Sequence, residues 1–484
     1  MKSTDITKIY VGDTQGEKLY LGDNLIWSGE EPTPTGETRL VVTYDVTSAT
    51  RNTNILYTGT TGFSKAELED GTEIPVAKTY MFPETGLTKV YYTLTGTSTP
   101  EKAFYNLKNI VGVELPSSGL EEVGVSSFTN CWNIVNLTIP NSVQRIDEAA
   151  FATCCGATGT INIPSDCVVG ANAFYRCKSL TGITVQSGAT LGYKSFYMGN
   201  SVKNITIKPD VTFVSGDTFG STYESLEEVI FEGTPPQSQP EQEIFTASDS
   251  YRYPIYVPND QVDAWKQWFN GITKSRVCPI SERTIPAAYK RLAFLCNRIS
   301  VDGYVEADYS ESGFNESMWA EYEFGLYSLP TGSSQVHILS GDNYRFAQID
   351  TAGNWSVRRG GESLTITSSP FVSGNTSTLV TRTYTFFKNG DNIEVDGVVV
   401  GSIIDPGTSP DSIHPRFFSV NGSDDYTTYG AKGYLFRGKI GNKDEGSSLI
   451  AHYVPAQRRS DDVYGLWDFV TSTFLPVNNG TSGN

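Results

Sequence analysis

The sequence predicts a mainly β, multidomain chain in which a solenoid stands between two β-sandwich regions. Three observations carry that expectation: phenylalanines recurring about every 23 residues through the middle, alternating apolar runs on either side of them, and a length of 484 residues. At roughly 100–200 residues per domain, that length calls for three or four folding units rather than one core. A charged share of 19% with 46 Gly and 23 Pro suits folded, turn-rich β domains better than coiled coil or disorder.

The chain opens on a short duplication. Residues 8–13 read Lys-Ile-Tyr-Val-Gly-Asp and residues 18–23 read Lys-Leu-Tyr-Leu-Gly-Asp, each alternating apolar and polar and ending in Gly-Asp. Two short paired strands are expected, with Leu25-Ile26-Trp27 as a third apolar patch. So small a unit buries no core alone, so residues 1–29 are expected to be an anchor completed by a partner or by copies of itself, through Ile9, Tyr10, Val11, Leu19, Tyr20, Leu21 and Trp27. Residues 30–36, polar and proline-containing, read as a semi-rigid linker. Residues 37–100 carry alternating runs such as 40–46 and 89–94 and read as a small β-sandwich.

Residues 101–282 hold the periodic signal. Phe104, Phe128, Phe151, Phe174, Phe196 and Phe219 are preceded by small residues and lead by about ten positions into short β-branched runs at 137–140, 161–164, 183–185, 205–207 and 229–231. One such coil buries no phenylalanine by itself; stacked coils place ring on ring and strand beside strand at roughly 4.8 Å. The six rings are therefore the expected solenoid core. After Ile255-Tyr-Val-Pro258 comes a helix with Asn259 as its N-cap and Val262, Trp265, Trp268 and Phe269 on one face, closing the solenoid end.

Residues 283–484 follow a different pattern. Asn389-Gly390 and Asp396-Gly397 separate three alternating runs, which is a β-meander because both dipeptides accept φ > 0 at both turn positions. The flanking runs complete an expected sandwich in which first and last strands pair.

The units Glu148-Ala-Ala-Phe-Ala-Thr-Cys154 and Asn172-Ala-Phe-Tyr-Arg-Cys177-Lys-Ser-Leu180 resemble the leucine-rich repeat of the BspA type, with its A-F-x-x-C-x-x-L followed by I-x-I-P. Residues 283–484 resemble the concanavalin-A-like jelly roll. The N-terminal duplication is similar to short repeats that begin structural proteins of Bacteroides-infecting, crAss-like phages. Together these resemblances imply a non-enzymatic virion protein made in the host cytoplasm and carried on the virion surface. It would be a head or tail fibre subunit, trimeric by analogy, docked through residues 1–29 on capsid, portal or tail. Its lectin-like domain would meet host or mucus glycans. A BspA-like bacterial adhesin and a glycan-degrading depolymerase are the alternatives.

Composition and motifs bound the chemistry. With 36 Lys+Arg against 54 Asp+Glu, a formal charge of −18 repels phosphate backbones, so no nucleic acid partner is expected, and Arg458-Arg459 reads as a solvated turn. No uncharged apolar run of 18 residues is present, so membrane insertion is not expected, and the first residues lack the apolar stretch of an export signal. His337, His414 and His452 stand apart, no HExxH, GxSxG or P-loop pattern occurs, and seven Cys lack a CxxC pair. No cofactor, metal or catalytic residue is therefore assigned. His452, in an alternating run, reads as core or rim.

Cys131, Cys154 and Cys177 each follow a ladder phenylalanine by three, which stacks them as small buried fillers or, alternatively, as a metal column. Asp424-Asp425 and Asp461-Asp462 leave calcium binding or glycosidase chemistry open, although neighbours on a strand point to opposite faces. Trp319, Tyr344, Trp355 and Tyr426, in or near loops of the last domain, are the candidate plates for sugar rings.

Overall fold

The computed structural model describes residues 37–292, apart from 58–61, 221–224, 241–242, 246–252, 270 and 275, together with the flanking strands named below, residues 388 and 403, and the turns 396–397, 459–463 and 469–472. It is mainly β and divides into two compact units, residues 1–180 with 189–199 and residues 181–188 with 200–484.

In the first unit, Lys18–Leu21 pairs antiparallel with Asn24–Ser28, Leu19 opposite Trp27. The second copy of the duplication thus pairs with the apolar patch that follows it; residues 8–13, with Ile9, Tyr10 and Val11, lie outside the described residues.

Residues 37–114 build a five-stranded antiparallel sheet in the order Ile110–Glu114, Arg39–Val46, Gly86–Leu94, Phe63–Leu68, Glu73–Ile74. Strand Arg39–Val46 shows why it forms: Leu40, Val42, Tyr44 and Val46 are fully buried, and the residues between them face outward. A separate pair joins Asn52–Asn54 to Thr79–Met81. Two fully buried phenols are satisfied internally, Tyr44 donating to the Ile55 carbonyl at 2.7 Å and lying 2.9 Å from the Tyr92 hydroxyl. The sheet's edge strand Ile110–Glu114 belongs to the first coil, and Phe104 packs on Tyr92 and Phe63 at 5.4 and 5.9 Å between ring centroids. This sheet therefore caps the coils at their amino-terminal end.

The coils of this unit repeat one backbone pattern. The residues two before and two after each phenylalanine have positive φ: Lys102 and Asn106, Ser126 and Asn130, Ala149 and Thr153, Asn172 and Arg176, Lys194 and Met198. That conformation turns alternate N–H groups along the stacking direction. Phe104, Phe128, Phe151 and Phe174 each donate to a carbonyl of the next coil at 2.7–2.8 Å, while the N–H groups between bond back three residues within their own coil. Two-residue parallel strands, unforeseen in the sequence, form a second ladder: Ser98–Thr99, Glu122–Val123, Arg145–Ile146, Val168–Val169 and Thr190–Leu191. Gly170, beside this ladder, is required by close approach, because a Cβ there would sit 2.7 Å from the Glu148 nitrogen.

The strand expected at 137–140 does not form. The backbone makes one parallel bridge there, Asn136 with Thr158, and in the next coil the extended strand Gly159–Ile163 begins directly after it. Leu137 and Ile139 are buried all the same, so the in-out alternation survives without the ladder.

In the second unit, Leu180–Val185 from Gly182 onward, Asn204–Ile207, Glu228–Phe231, Ile255–Val257 and Val277–Pro279 pair parallel in that order. The cap helix is shorter than expected, Val262–Trp268 after a 3-10 turn Asn259–Gln261. Asn259 does not cap it; its Oδ1 accepts from the Ser281 N–H at 3.1 Å, tying the turn to the following segment. Trp265, Trp268 and Phe269 are buried, Trp265 lying 4.2 Å from Phe231 between centroids, whereas Val262 is half-buried.

Beyond residue 288 the described strands form one antiparallel path. Its order is Glu362–Ile366, Trp355–Arg359, Arg345–Ile349, Gln335–Ser340, Arg416–Asn421, Tyr304–Glu306, Thr473–Asn478, Tyr464–Asp468, Ser448–Arg458, Gly433–Asn442, Met318–Leu326, Val380–Phe386, Asn392–Val395, Val398–Ser402. Tyr289–Arg291 adds to Ser448–Arg458, and Leu295–Cys296 to Gly433–Asn442. The expected pairing of first and last strands is thus corrected: the last strand, Thr473–Asn478, lies beside Tyr304–Glu306, because Tyr289–Arg291 is drawn to Ser448–Arg458. The meander is present, with Asp396 and Gly397 both at positive φ in its second turn. Asn389-Gly390 lies outside the described residues.

Candidate functional site

The ladder phenylalanines are the first sequence-selected set. Phe104, Phe128, Phe151, Phe174 and Phe196 stack in one column of the first unit, with centroids 5.1, 5.3, 5.4 and 5.0 Å apart and planes within 15° of parallel. Parallel carbon planes touch at about 3.5–4 Å, so these rings are offset rather than eclipsed, the arrangement their quadrupoles favour. Phe219, in the second unit, stacks on Phe245 at 5.3 Å. Phe245 escaped the periodicity because it follows Phe219 by 26 residues, across the insertion after residue 232; a phenylalanine ten residues before Ile255 was the signal that could have found it.

The cysteine column is now explained. The thiols of Cys131, Cys154 and Cys177 donate to the carbonyls of Phe104, Phe128 and Phe151, one coil back, at 3.0, 3.3 and 3.2 Å. Burial pushes the Cys131 and Cys177 thiols up to about 12 and the Cys154 thiol well above its ordinary value. As protonated thiols these side chains act as buried hydrogen-bond donors between coils. No group of three metal-ligating side chains occurs among the described residues.

The other sequence-selected residues are dispersed. Leu19, Tyr20 and Leu21 lie on one strand of the N-terminal pair and Trp27 on the other. Trp319 is the second residue of Met318–Leu326, opposite Gly441, and Trp355 opens Trp355–Arg359, opposite Ile349 and Ile366. These two strands are not neighbours in the sheet, so pairing does not bring the tryptophans together. Tyr344, Tyr426, His414 and Asp424-Asp425 lie outside the described residues. Asp461 is engaged by Arg458 through two hydrogen bonds of 2.9 and 2.7 Å, which hold its carboxyl below the usual range, and Asp462 forms the turn at φ 58°.

What sequence reasoning missed is a buried polar cluster inside the second unit, where the last coils meet the antiparallel sheet. Glu282 and Arg291, at 1% and 5% exposure, pair at 2.9 Å. Arg291 also donates to the Pro455 carbonyl at 3.2 Å and lies 3.7 Å from the Cys278 thiol. His452 places Nε2 3.2 Å from the second Glu282 oxygen, with its ring against Phe469. It is a rim residue of this cluster.

Two further ion pairs join the same elements, Lys266 to Glu323 at 2.5 Å and Arg459 to Glu227 at 2.8 Å, and a third, Arg283 to Glu228 at 2.7 Å, lies on the coil side. Burial alone would raise the Glu227 carboxyl, but Arg459 outweighs it and the value is lowered. Arg459 is an exposed turn residue, as expected, and in addition reaches a carboxylate 232 positions earlier. Nothing in local sequence marks such pairs, since charged residues at these spacings read as surface.

No helix among the described residues is long and apolar enough to cross a membrane. Among curated proteins there is no match. A leucine-rich repeat protein from Bacteroides ovatus, known by its crystal structure, is similar at 17% identity over 38% of this chain, with a TM-score of 0.20; the similarity takes in 56% of that protein's length. Residues 72–197 and 155–248 match the family model described as the BspA type leucine rich repeat region, in six copies. The coiled part of this chain is thus similar to the BspA type leucine rich repeat region.

Proposed function

We propose that the protein is a non-catalytic display protein of the virion surface, a head or tail fibre subunit whose repeat region holds a lectin-like C-terminal domain toward host or mucus glycans. The carrying observation is the buried Glu282–Arg291 pair with its Pro455 and His452 contacts. It seats the antiparallel sheet on the last coils instead of leaving it on a tether, and a module presented for recognition gains from such preorganisation. Residues 1–29 are the dock on capsid, portal or tail, and the assembly is a homotrimer. Supporting this is an apolar strand pair too small to stand by itself.

The BspA-type repeats favour a second reading, a bacterial cell-surface adhesin. Antibodies to the full chain, applied to purified phage particles and to intact bacterial cells, separate the two. Labelled particles carry the first reading, and labelling of phage-free cells alone replaces it with the second. Release of reducing sugar from a capsular polysaccharide panel would sink both in favour of an enzyme.

A further inference from the structure

Within the first unit, one coil carries an aromatic plate that the stacking of coils does not require. In four successive coils the residue directly after buried Leu107, Cys131, Cys154 and Cys177 is Lys108, Trp132, Cys155 and Lys178. Three of those coils stack with no ring at that position, yet Trp132 places an indole there and leaves it 44% exposed. The ring is fixed from one side. The Lys108 ammonium, one coil earlier, lies 4.4 Å from its centroid, and the indole Nε1–H points at the Asn130 Oδ1 at 3.5 Å. A cation over one face leaves the other turned toward the coil that follows. There the chain offers small residues. Half-buried Cys155 donates its thiol to the Arg176 carbonyl at 3.4 Å, and at Gly156 the backbones approach so closely that a Cβ would sit 2.7 Å from the Trp132 carbonyl oxygen.

The result is a flat apolar face about one ring wide, held in one orientation, with an amide at its edge. We infer that Trp132 is the plate of a pyranose-binding site, where one hexose ring of a glycan lays its C–H face on the indole and sets a hydroxyl against the Asn130 amide. The hydrogens on that face of a sugar carry partial positive charge and meet the negative face of the ring, while the remaining hydroxyls stay in water. A protein partner would need a far wider surface than one indole supplies. Holding the plate in place before the ligand arrives removes the cost of ordering it on binding. The site lies on the repeats, so the inference does not rest on the glycan reading of the C-terminal domain.

The test is fluorine NMR of the full chain carrying fluorotryptophan, titrated with methyl β-galactopyranoside, methyl β-glucopyranoside and sorbitol. The chain holds seven tryptophans, and Trp132→Lys, which copies Lys108 and Lys178, assigns the Trp132 resonance by removing it while the coils stay folded. At least one pyranoside should shift that resonance at millimolar concentration, and sorbitol, which has no ring face, should leave it in place. Cys155→Leu sets a larger side chain against the open face and should weaken the sugar roughly tenfold with an unchanged melting temperature. A Trp132 resonance that neither sugar moves, an equal shift with sorbitol, or full affinity in folded Cys155→Leu would each overturn the inference. So would a resonance that moves with protein concentration before sugar is added, since a second copy of the chain would then cover the indole. Shifts confined to the other tryptophans would remove this site and leave the glycan reading of the C-terminal domain standing.

Discussion

The coils end in two different chemistries. At the amino-terminal end the column closes on rings, with Phe104 against Tyr92 and Phe63, and the phenols of Tyr44 and Tyr92 meet each other. At the carboxy-terminal end Trp265 and Phe269 cover Phe231, but the next layer is charged, with Glu282 and Arg291 buried between coil and sheet. Aromatic capping is tolerant, since burial scales with area and any ring of suitable size contributes. A buried ion pair fixes one partner in one orientation, and removing either charge leaves the other stranded. The first end asks only to be covered, whereas the second must hold a particular neighbour.

The largest effect should come from the phenylalanine column of the first unit. Phe151→Ala in its middle removes a fully buried ring stacked on both sides and should cost about 3–5 kcal/mol in equilibrium unfolding. A loss under about 1 kcal/mol would mean that the rings are not the shared core. Next is the charged end. Arg291→Met should destabilise the second unit by about 3 kcal/mol, and adding Glu282→Leu should restore most of it, because the cost lies in the stranded carboxylate. If the double variant is as weak as the single, the Pro455 hydrogen bond and not the ion pair is what matters. Third, Gly170→Val would press a side chain onto the Glu148 and Asp147 backbone and should cost about 1–3 kcal/mol in thermal unfolding.

The same contrast governs what could be read in the sequence. Phe128, Phe151 and Phe174 repeat at 23 residues because each coil solves the same packing problem, and repetition is visible in a string of letters. The two-residue strands such as Val168–Val169 also repeat, but two residues are too few to show alternation. Asn259 met every sequence criterion for a helix cap and was claimed instead by the Ser281 N–H. Glu282, Arg291, Glu227 and Arg459 were invisible as partners because each occurs once, and distant charges pair by tertiary placement.

The thiol column offers a test by pH. Unfolded thiols ionise near their ordinary value of 9, while burial holds Cys131 and Cys177 protonated up to about 12. Between those values the unfolded chain binds fewer protons than the folded one, so stability is whole below pH 9 and falls as pH rises toward 12. Replacing Cys131, Cys154 and Cys177 together by alanine should flatten that slope in guanidinium unfolding curves taken at pH 8 and 10.5. Buried Tyr44, raised in the same direction, should leave a remainder. Iodoacetamide on the native protein should modify half-buried Cys155 before any of the three, as peptide mass mapping would show. Early labelling of Cys154 would mean that the column opens.

The smallest effect concerns backbone strain in the coils. Ala149 holds φ +55° where Asn172 holds φ +56° at the equivalent position of the next coil. The left-handed region costs an alanine about 1–2 kcal/mol through its Cβ against the following carbonyl, and asparagine less, because its side chain bonds locally. Ala149→Gly removes the clash but frees the unfolded chain by about 0.5–1 kcal/mol, so the net gain should be at most about 1.5 kcal/mol. Ala149→Asn keeps more of the benefit and should raise the melting temperature slightly more than glycine does. If both substitutions destabilise, the methyl group of Ala149 contributes packing that outweighs its strain, and the coils are held by side-chain fit at their turns as well as at their rings.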